Sequence, residues 1–433
     1  MCYLDEAFSH TENQVMSLQT PTTPVPLKAS RALALYAQRL HRLPESSSLP
    51  DAIYAVVERL GCVQIDTLHM VARSQYLVLW SRLGPYRRDQ FDALIFDPDQ
   101  RRLFEYWKKA ASIIPLKHYR YSLPKMRGFR DSPSSWWRAR FLADEENVRL
   151  LKTVRQRLTE EGPLRAADFD YTGPRRDSWW DWKPAKHALE YLYNTGEAMI
   201  GNRINFQRVY DLRDRVLPDW VDQTEPTPEE AHRFHVEQAV KALGICEPLQ
   251  AADYAYMKRT AARPTLQALL KEGILLEVEG EDVNGDPIHM VLHRDSLADL
   301  QRALDGALQA QHTTFLSPFD SLFWARGRDE RIWNFRQALE AYKREPDRIW
   351  GYFCLPILHR DRLVGRFDPK LVRKTGTLYL RALHLEPGIE PDDELVADVA
   401  EAMRSFLAFH QASHLVIEDK GHAEFRRKLQ ALF

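Results

Sequence analysis

A polar pair able to activate water lies early in the chain. Val63, Gln64, Ile65 and Asp66 alternate apolar and polar residues, as a short strand or extended turn does. In extended backbone Gln64 and Asp66 project to one side while Ile65 anchors the other. A carboxylate beside an amide could hold and activate a water molecule. Asp66 could equally cap the helix that apolar spacing predicts from about Leu68, and both roles stay open at this point.

A second candidate surface is basic and aromatic. Between Arg101 and Arg140 the chain carries eleven Lys or Arg residues against only Glu105 and Asp131, with aromatic residues interleaved. Such a mixture suits contacts to phosphates and stacking on bases. It also describes an ordinary solvated face over an aromatic core, so the sequence leaves both interpretations open.

Composition limits the class of protein. A chain of 433 residues predicts about three domains. The 60 Lys plus Arg balance 61 Asp plus Glu, so any surface for nucleic acid must be local. Four cysteines without a C-x-x-C pair argue against a zinc site or disulfide framework and fit a reducing compartment. Without a long apolar run or a signal peptide, we expect a soluble cytoplasmic protein.

The elements that must position these residues follow a repeated order. Residues 1–27 are rich in Ser, Thr and Pro and predict a flexible tail. Helices are predicted next, with one of them ending at the segment Phe104 to Ala111. Helices followed by paired strands then occur twice, with strands near 196–201 and 206–211 and again near 274–278 and 288–292. Helix, turn, helix and hairpin is the order of a winged helix.

The last part of the chain has a different pattern. Strands are predicted at 351–359, 362–367 and 377–384, followed by an amphipathic helix from Asp392 to Ala412. This pattern predicts a small antiparallel sheet or barrel with flanking helices.

Six motifs together resemble one known family. In chain order they are G-C-V-Q-I-D-T-L-H-M-V-A-R-S-Q-Y-L-V-L-W-S-R-L (61–83), F-E-Y-W (104–107), W-W-D-W-K-P-A-K (179–186), F-Q-R-V-Y-D-L (206–212), L-S-P-F-D-S-L-F-W (316–324) and V-G-R-F-D-P-K (364–370). Their types and order resemble the bacterial winged-helix DNA glycosylase superfamily of the AlkZ/YcaQ type. The family's catalytic motif is Gln, an apolar residue, then Gln or Asp, which matches Gln64-Ile65-Asp66.

The resemblance implies an α+β fold with three tandem winged-helix modules and a C-terminal β-rich, barrel-like domain around a DNA channel. The expected boundaries are a tail at 1–27, modules at 28–148, 149–225 and 226–312, and the β-rich domain at 313–433. We also expect a bacterial protein that works at the nucleoid, and nothing in the sequence demands more than a monomer.

The implied activity is excision of N-alkylated purines from double-stranded DNA, with some members unhooking interstrand crosslinks. The Asp version of the motif goes with the broader-specificity branch of the family. An N7- or N3-alkylated purine is cationic and already a good leaving group, so no strong general acid is needed, unlike in an ordinary glycosidase. Asp66 would stabilise the oxocarbenium-like sugar and accept the water's proton, and Gln64 would orient the water. No metal or other cofactor is expected.

The DNA contacts expected with this resemblance are spread along the chain. They are His69, Arg73, Lys108, Lys109, Trp179, Lys183, Lys186 and Arg208, joined by the basic stretch 101–140 and a wing near 280–287. Lys109 stands where members often carry His, so it could keep a phosphate contact but not a titratable role. A non-catalytic winged-helix regulator remains the alternative, which would keep its function after Asp66→Asn.

Overall fold

The computed structural model describes residues 23–44, 49–132, 134–169 and 184–433 of the chain. Its first part surrounds a three-stranded sheet of order β1-β3-β2, in which both neighbours of β3 are antiparallel to it. The elements in chain order are α1 (Leu27–Ala37), α2 (Pro50–Leu60), β1 (Val63–Gln64), α3 (Ser74–Leu83), α4 (Arg88–Phe96), β2 (Leu103–Trp107), β3 (Ala111–Pro115) and α5 (Leu123–Asp131).

The expected helical end at Phe104 to Ala111 is wrong, because this segment forms most of the β2–β3 hairpin. Aromatic and branched residues favour a strand, in which alternate side chains point to opposite faces and can pack in two different cores. Phe104 and Tyr106 pack in one apolar cluster, whereas Leu103 belongs to another. The strand therefore separates two cores, which its local sequence does not reveal.

The second and third parts repeat the arrangement of helices with a small sheet. The second contains α6 (Glu145–Glu161), β4 (Leu164–Arg165), α7 (Pro184–Asn194), β5 (Ala198–Ile204), β6 (Gln207–Leu212) and α8 (Arg213–Val216), with strand order β4-β6-β5. The third contains α9 (Pro228–Leu243), β7 (Ile245–Cys246), α10 (Gln250–Tyr254), α11 (Arg259–Lys271), β8 (Leu275–Glu281), β9 (Pro287–His293) and α12 (Leu297–Leu304), with order β7-β9-β8. Both predicted hairpins are confirmed.

The C-terminal part is built on a curled five-stranded sheet, a half-barrel, of order β10-β11-β12-β13-β14. Its elements are β10 (Thr313–Phe315), α13 (Arg328–Trp333), β11 (Leu355–His359), β12 (Arg362–Val372), β13 (Thr377–Leu385), α14 (Asp393–His410), β14 (His414–Ile417) and α15 (Ala423–Gln430). The strands β10 to β13 pair antiparallel and β14 pairs parallel to β13. The predicted sheet and its long following helix are confirmed.

Shared apolar clusters join these parts. One cluster joins the first sheet to α6, α7 and the third part, and another joins α2, α3 and α4 to the C-terminal sheet. A third packs α1 against β8, β9 and α12, although α1 precedes the first sheet in sequence. In the described part of the chain, no helix is both long and apolar enough to cross a membrane.

Candidate active site

The Gln64-Ile65-Asp66 motif lies where β1 leaves the first sheet. Gln64 pairs with Ser112 of β3, and the Ile65 N–H donates to the Ala111 carbonyl at 2.8 Å. Ile65 is 7% exposed and packs in the cluster around α2 and α3. Ile65 therefore anchors the motif as expected, and Asp66 begins the loop that leads to α3.

Asp66 does not cap a following helix. α3 begins at Ser74, its preceding residue is Arg73, and no side chain caps it. The Asp66 Oδ1 accepts instead from the Leu68 N–H at 2.8 Å, which forms a local Asx turn. The helical spacing from Leu68 was misleading because residues 67–73 form a loop held by contacts to distant elements.

The environment of Asp66 suits a base. Its carboxyl is half-buried, and this burial raises its pKa above the usual value of 3.8, against the lowering effects of the Leu68 N–H and the Arg73 charge. No described Lys or Arg forms an ion pair with it. Gln64 is 8% exposed, and its amide makes no hydrogen bond to another described residue. Both side chains therefore retain hydrogen-bonding capacity for a water or a substrate.

Arg73 connects this loop to the second sheet. Its Nη1 donates to the Thr67 carbonyl at 2.8 Å, and its Cζ lies 3.4 Å from the centroid of the Phe206 ring. The Arg203 guanidinium also stacks on that ring, at 4.3 Å. Arg203 in turn donates two hydrogen bonds, of 2.9 and 2.8 Å, to the buried carboxylate of Glu105. Sequence reasoning missed this chain of contacts.

Glu105 is the residue from which these contacts could have been predicted. It is a single carboxylate inside the aromatic strand F-E-Y-W, and a buried carboxylate requires cationic or hydrogen-bonding partners. Its two partners, Arg203 and Arg208, lie opposite each other in the β5–β6 hairpin. The motif F-Q-R-V-Y-D-L therefore supplies one of the partners of the motif F-E-Y-W.

Arg208, expected as a DNA contact, is occupied inside the protein. It donates to Glu105 at 2.8 Å and to both oxygens of Glu190 at 3.0 and 3.1 Å. Lys186 lies one turn before Glu190 on α7 and is half-buried, and this burial lowers its pKa. The predicted contacts Trp179 and Lys183 lie outside the described residues.

Lys108 and Lys109 occupy the turn between β2 and β3. The Lys108 Nζ lies 3.5 Å from Nδ1 of His235 on α9, and burial lowers the pKa of Lys108 to about 8. Lys109 is exposed, with its Nζ 5.8 Å from the ring centroid of Trp324. The described contacts of this turn thus lead toward α9 and Trp324.

The C-terminal sheet holds the other side of the loop. The Leu371 N–H donates to the Met70 carbonyl at 2.9 Å, and Arg373 donates to the Val71 carbonyl and, at 2.8 Å, to Nε2 of His69. Burial and the nearby arginines, Arg373 first, lower the pKa of His69 to about 4, so it is neutral at pH 7. The exposed basic side chains Lys370, Arg373 and Lys374 lie at this end of the sheet.

The basic stretch 101–140 offers less free charge than its sequence indicates. Five of its basic residues form ion pairs: Arg102 with Asp51, Lys117 with Glu58, Arg120 with Asp222, Arg127 with Glu225 and Arg130 with Asp131. Arg101 is buried and donates to main-chain carbonyls. Six of the eleven basic residues of this stretch are therefore paired or buried within the protein.

The wing near 280–287 also differs from expectation. Val25 pairs with its Gly280, and the Val283 N–H donates to the Arg331 carbonyl at 3.0 Å. The wing carries three carboxylates, on Glu281, Asp282 and Asp286. Packing against the chain's own segments and negative charge both argue against contact with phosphates at this wing.

Comparison with known proteins identifies the family that this fold and loop define. The family model "DNA glycosylase AlkZ-like" matches residues 57–409, and the chain belongs to this family. Among solved structures, the chain is similar in fold to the Streptomyces sahachiroi DNA glycosylase AlkZ, at 18% sequence identity and a TM-score of 0.60. The match covers 92% of this chain and 100% of that one. Family membership implies DNA as the substrate.

Proposed function

We propose that the protein is a monofunctional DNA glycosylase that hydrolyses the N-glycosidic bond of N-alkylated purines, of the N7-alkylguanine and N3-alkyladenine type. The observation that carries the proposal is the half-buried carboxyl of Asp66, whose pKa is raised by burial. It follows two residues after Gln64, whose side-chain amide has no hydrogen-bond partner among the described residues. Membership in a DNA glycosylase family supports the reaction class and favours it over a regulator.

The proposed mechanism uses the positive charge of the lesion. As the bond from C1′ to the base nitrogen breaks, its electron pair neutralises the cationic purine, and positive charge develops on the sugar. The Asp66 carboxylate stabilises that charge and accepts a proton from the water that attacks C1′. The Gln64 amide orients this water. The products are a free alkylpurine and an abasic site, and the step requires no metal or other cofactor.

The proposed architecture around this site is three winged-helix modules and a C-terminal β-rich domain. Three small sheets, each preceded by helices, support this assignment in the described residues. We infer that DNA passes over the Asp66 loop, where His69, Arg73, Lys370, Arg373 and Lys374 supply the nearby basic and polar groups. Interstrand crosslinks of alkylated purines are included in the proposed substrate class.

The test is base release from duplex DNA containing 7-methylguanine, with a nitrogen-mustard crosslink in parallel. Asp66→Asn should slow release about 10²- to 10⁴-fold, as loss of a general base does, while DNA affinity stays at the wild-type level. Because burial disfavours the Asp66 charge, this variant should be at least as resistant to heating as the wild type.

Asp92→Asn is the matched control, because Asp92 is a neighbouring carboxyl whose pKa burial also raises. Its side chain accepts from the Tyr76 hydroxyl at 2.8 Å. If release survived in Asp66→Asn but was lost in Asp92→Asn, the assignment of Asp66 as the base would be wrong. Tight DNA binding by the wild type without release of either lesion would refute the glycosylase proposal.

A further inference from the structure

The tip of the β5–β6 hairpin, residues 202–207, is called the 202–207 turn and is held in one conformation. Asn205 and Phe206 have φ of +49° and +68°, the left-handed pair of a tight two-residue hairpin turn. The Arg203 Nη1 donates to the Phe206 carbonyl at 2.6 Å, while the same guanidinium is bound to buried Glu105. The turn is therefore braced by its own arginine and by the first sheet.

The turn lies beside the catalytic loop. Phe206 contacts the Arg73 guanidinium, and Arg73 also hydrogen-bonds to Thr67, the residue after Asp66. A cleft of about 440 Å³ is lined by residues of both segments, including Ile65, Arg73 and Phe206. A duplex placed with its lesion at Asp66 would therefore meet this turn.

The exposed side chains of the turn carry no charge. They are Asn202, Ile204, Asn205 and Gln207, and Ile204 is 45% exposed. The two arginines of the hairpin, Arg203 and Arg208, are already bound to Glu105 and Glu190. A surface of amides and one branched alkyl group offers no positive charge to phosphates. It suits base edges in a groove and apolar insertion between base steps.

We propose that the 202–207 turn enters a groove of duplex DNA at the lesion, with Ile204 inserted as a wedge between base steps and the amides of Asn202 and Asn205 against base edges. This inference rests on the proposed function, because it takes Asp66 as the position of the lesion. Insertion would partly unstack the alkylated nucleotide and expose its C1′ to the water held at Asp66. The rigid turn would let insertion proceed without reordering the protein.

The test measures unstacking separately from base release. Duplex DNA with 2-aminopurine beside 7-methylguanine is mixed with Asp66→Asn protein, and the 2-aminopurine fluorescence should rise as stacking is lost. Adding Ile204→Ala should remove most of this rise. In otherwise wild-type protein, Ile204→Ala should slow release from paired DNA about tenfold and affect a lesion in single-stranded DNA much less.

Leu432→Ala is the matched control, because Leu432 is an apolar residue of similar exposure, 43%, at the far end of the chain. It should change neither fluorescence nor release, and thermal melting should show that all variants fold. An unchanged fluorescence rise with Ile204→Ala would overturn the wedge. If the wild type still released the base, that unchanged rise would refute only the insertion of Ile204. If the wild type released no base, the proposed function itself would be refuted.

Discussion

At the scale of single residues, the site depends on how burial changes the pKa values of two nearby side chains, Asp66 and His69. Asp66 is buried enough for its pKa to rise, yet it has no ion pair among the described residues that would commit its charge. His69, three residues later, is neutral because burial and Arg373 lower its pKa to about 4. The loop therefore offers one titratable carboxyl and one neutral imidazole at neutral pH.

The pH dependence of base release follows from Asp66. In the proposed mechanism the active form is the carboxylate, so we expect release to fall as pH decreases through the raised pKa, which lies above the ordinary value of 3.8. Single-turnover release, measured from neutral pH downward, should be flat at first and then decline on the acid side. His69 is neutral at pH 7 because its pKa is lowered to about 4, so it contributes no inflection near neutral pH.

Asp92→Asn serves as the control for this assignment, since the pKa of Asp92 is also raised by burial. The acid decline should persist in this variant. Its disappearance there would contradict the role of Asp66.

At the scale of elements, a buried ion pair fixes α3, the helix that follows the Asp66 loop. Arg82 of α3 donates to both oxygens of Asp320, at 2.7 and 2.9 Å, and to the main-chain carbonyl of Gln38 at 2.8 Å. The side chains of Arg82 and Asp320 are both 0% exposed. The motif L-S-P-F-D-S-L-F-W therefore joins α1, α3 and the C-terminal part through its aspartate.

Asp320→Ala should be strongly destabilising. It leaves the Arg82 charge buried without a partner, and breaking a buried pair in this way costs about 3–5 kcal/mol. Urea unfolding of the variant would measure the loss. Asp89→Ala is the control, because its pair with Arg87 is exposed, and it should cost at most about 1 kcal/mol. If the two variants lost the same free energy of unfolding, burial would not be what makes the Arg82–Asp320 pair important for stability.

At the scale of the whole molecule, the balance of charge hides a local basic surface. The formal charge is −1, and much of the 101–140 stretch is neutralised by ion pairs. The exposed Lys370, Arg373 and Lys374 instead lie at the end of the C-terminal sheet that holds the Asp66 loop. We therefore expect phosphate contacts to concentrate there.

Salt dependence of DNA binding tests this distribution. Lys374→Ala should reduce the slope of log affinity against log salt by about 0.9, the contribution of one phosphate contact. Arg127→Ala, which removes an arginine paired with Glu225, should leave the slope near the wild-type value. If Arg127→Ala changed the slope more than Lys374→Ala did, the stretch 101–140 would be the main DNA surface instead.

Local patterns in the sequence were sufficient for much of the fold. The β8–β9 hairpin follows from alternation around Asn284-Gly285, and α9 begins where Thr227 and Glu230 form a capping box. The same patterns failed at F-E-Y-W and at the start of α3. There, pairing with distant strands and contacts to the C-terminal sheet decided the backbone, and local propensity did not.

The sequence by itself determined the motif Gln64-Ile65-Asp66, its anchoring by Ile65 and the family to which it points, because these depend on residue types within a few positions. Only the tertiary structure decided which charges surround the motif. Arg373 lies more than 300 residues from Asp66 in sequence yet donates to the loop at Val71. Arg203 stacks on the Phe206 ring that Arg73 also contacts, while Arg208 is held by two buried carboxylates. The physical reason is that burial and pairing set the effect of a charge, and both arise only when distant segments pack.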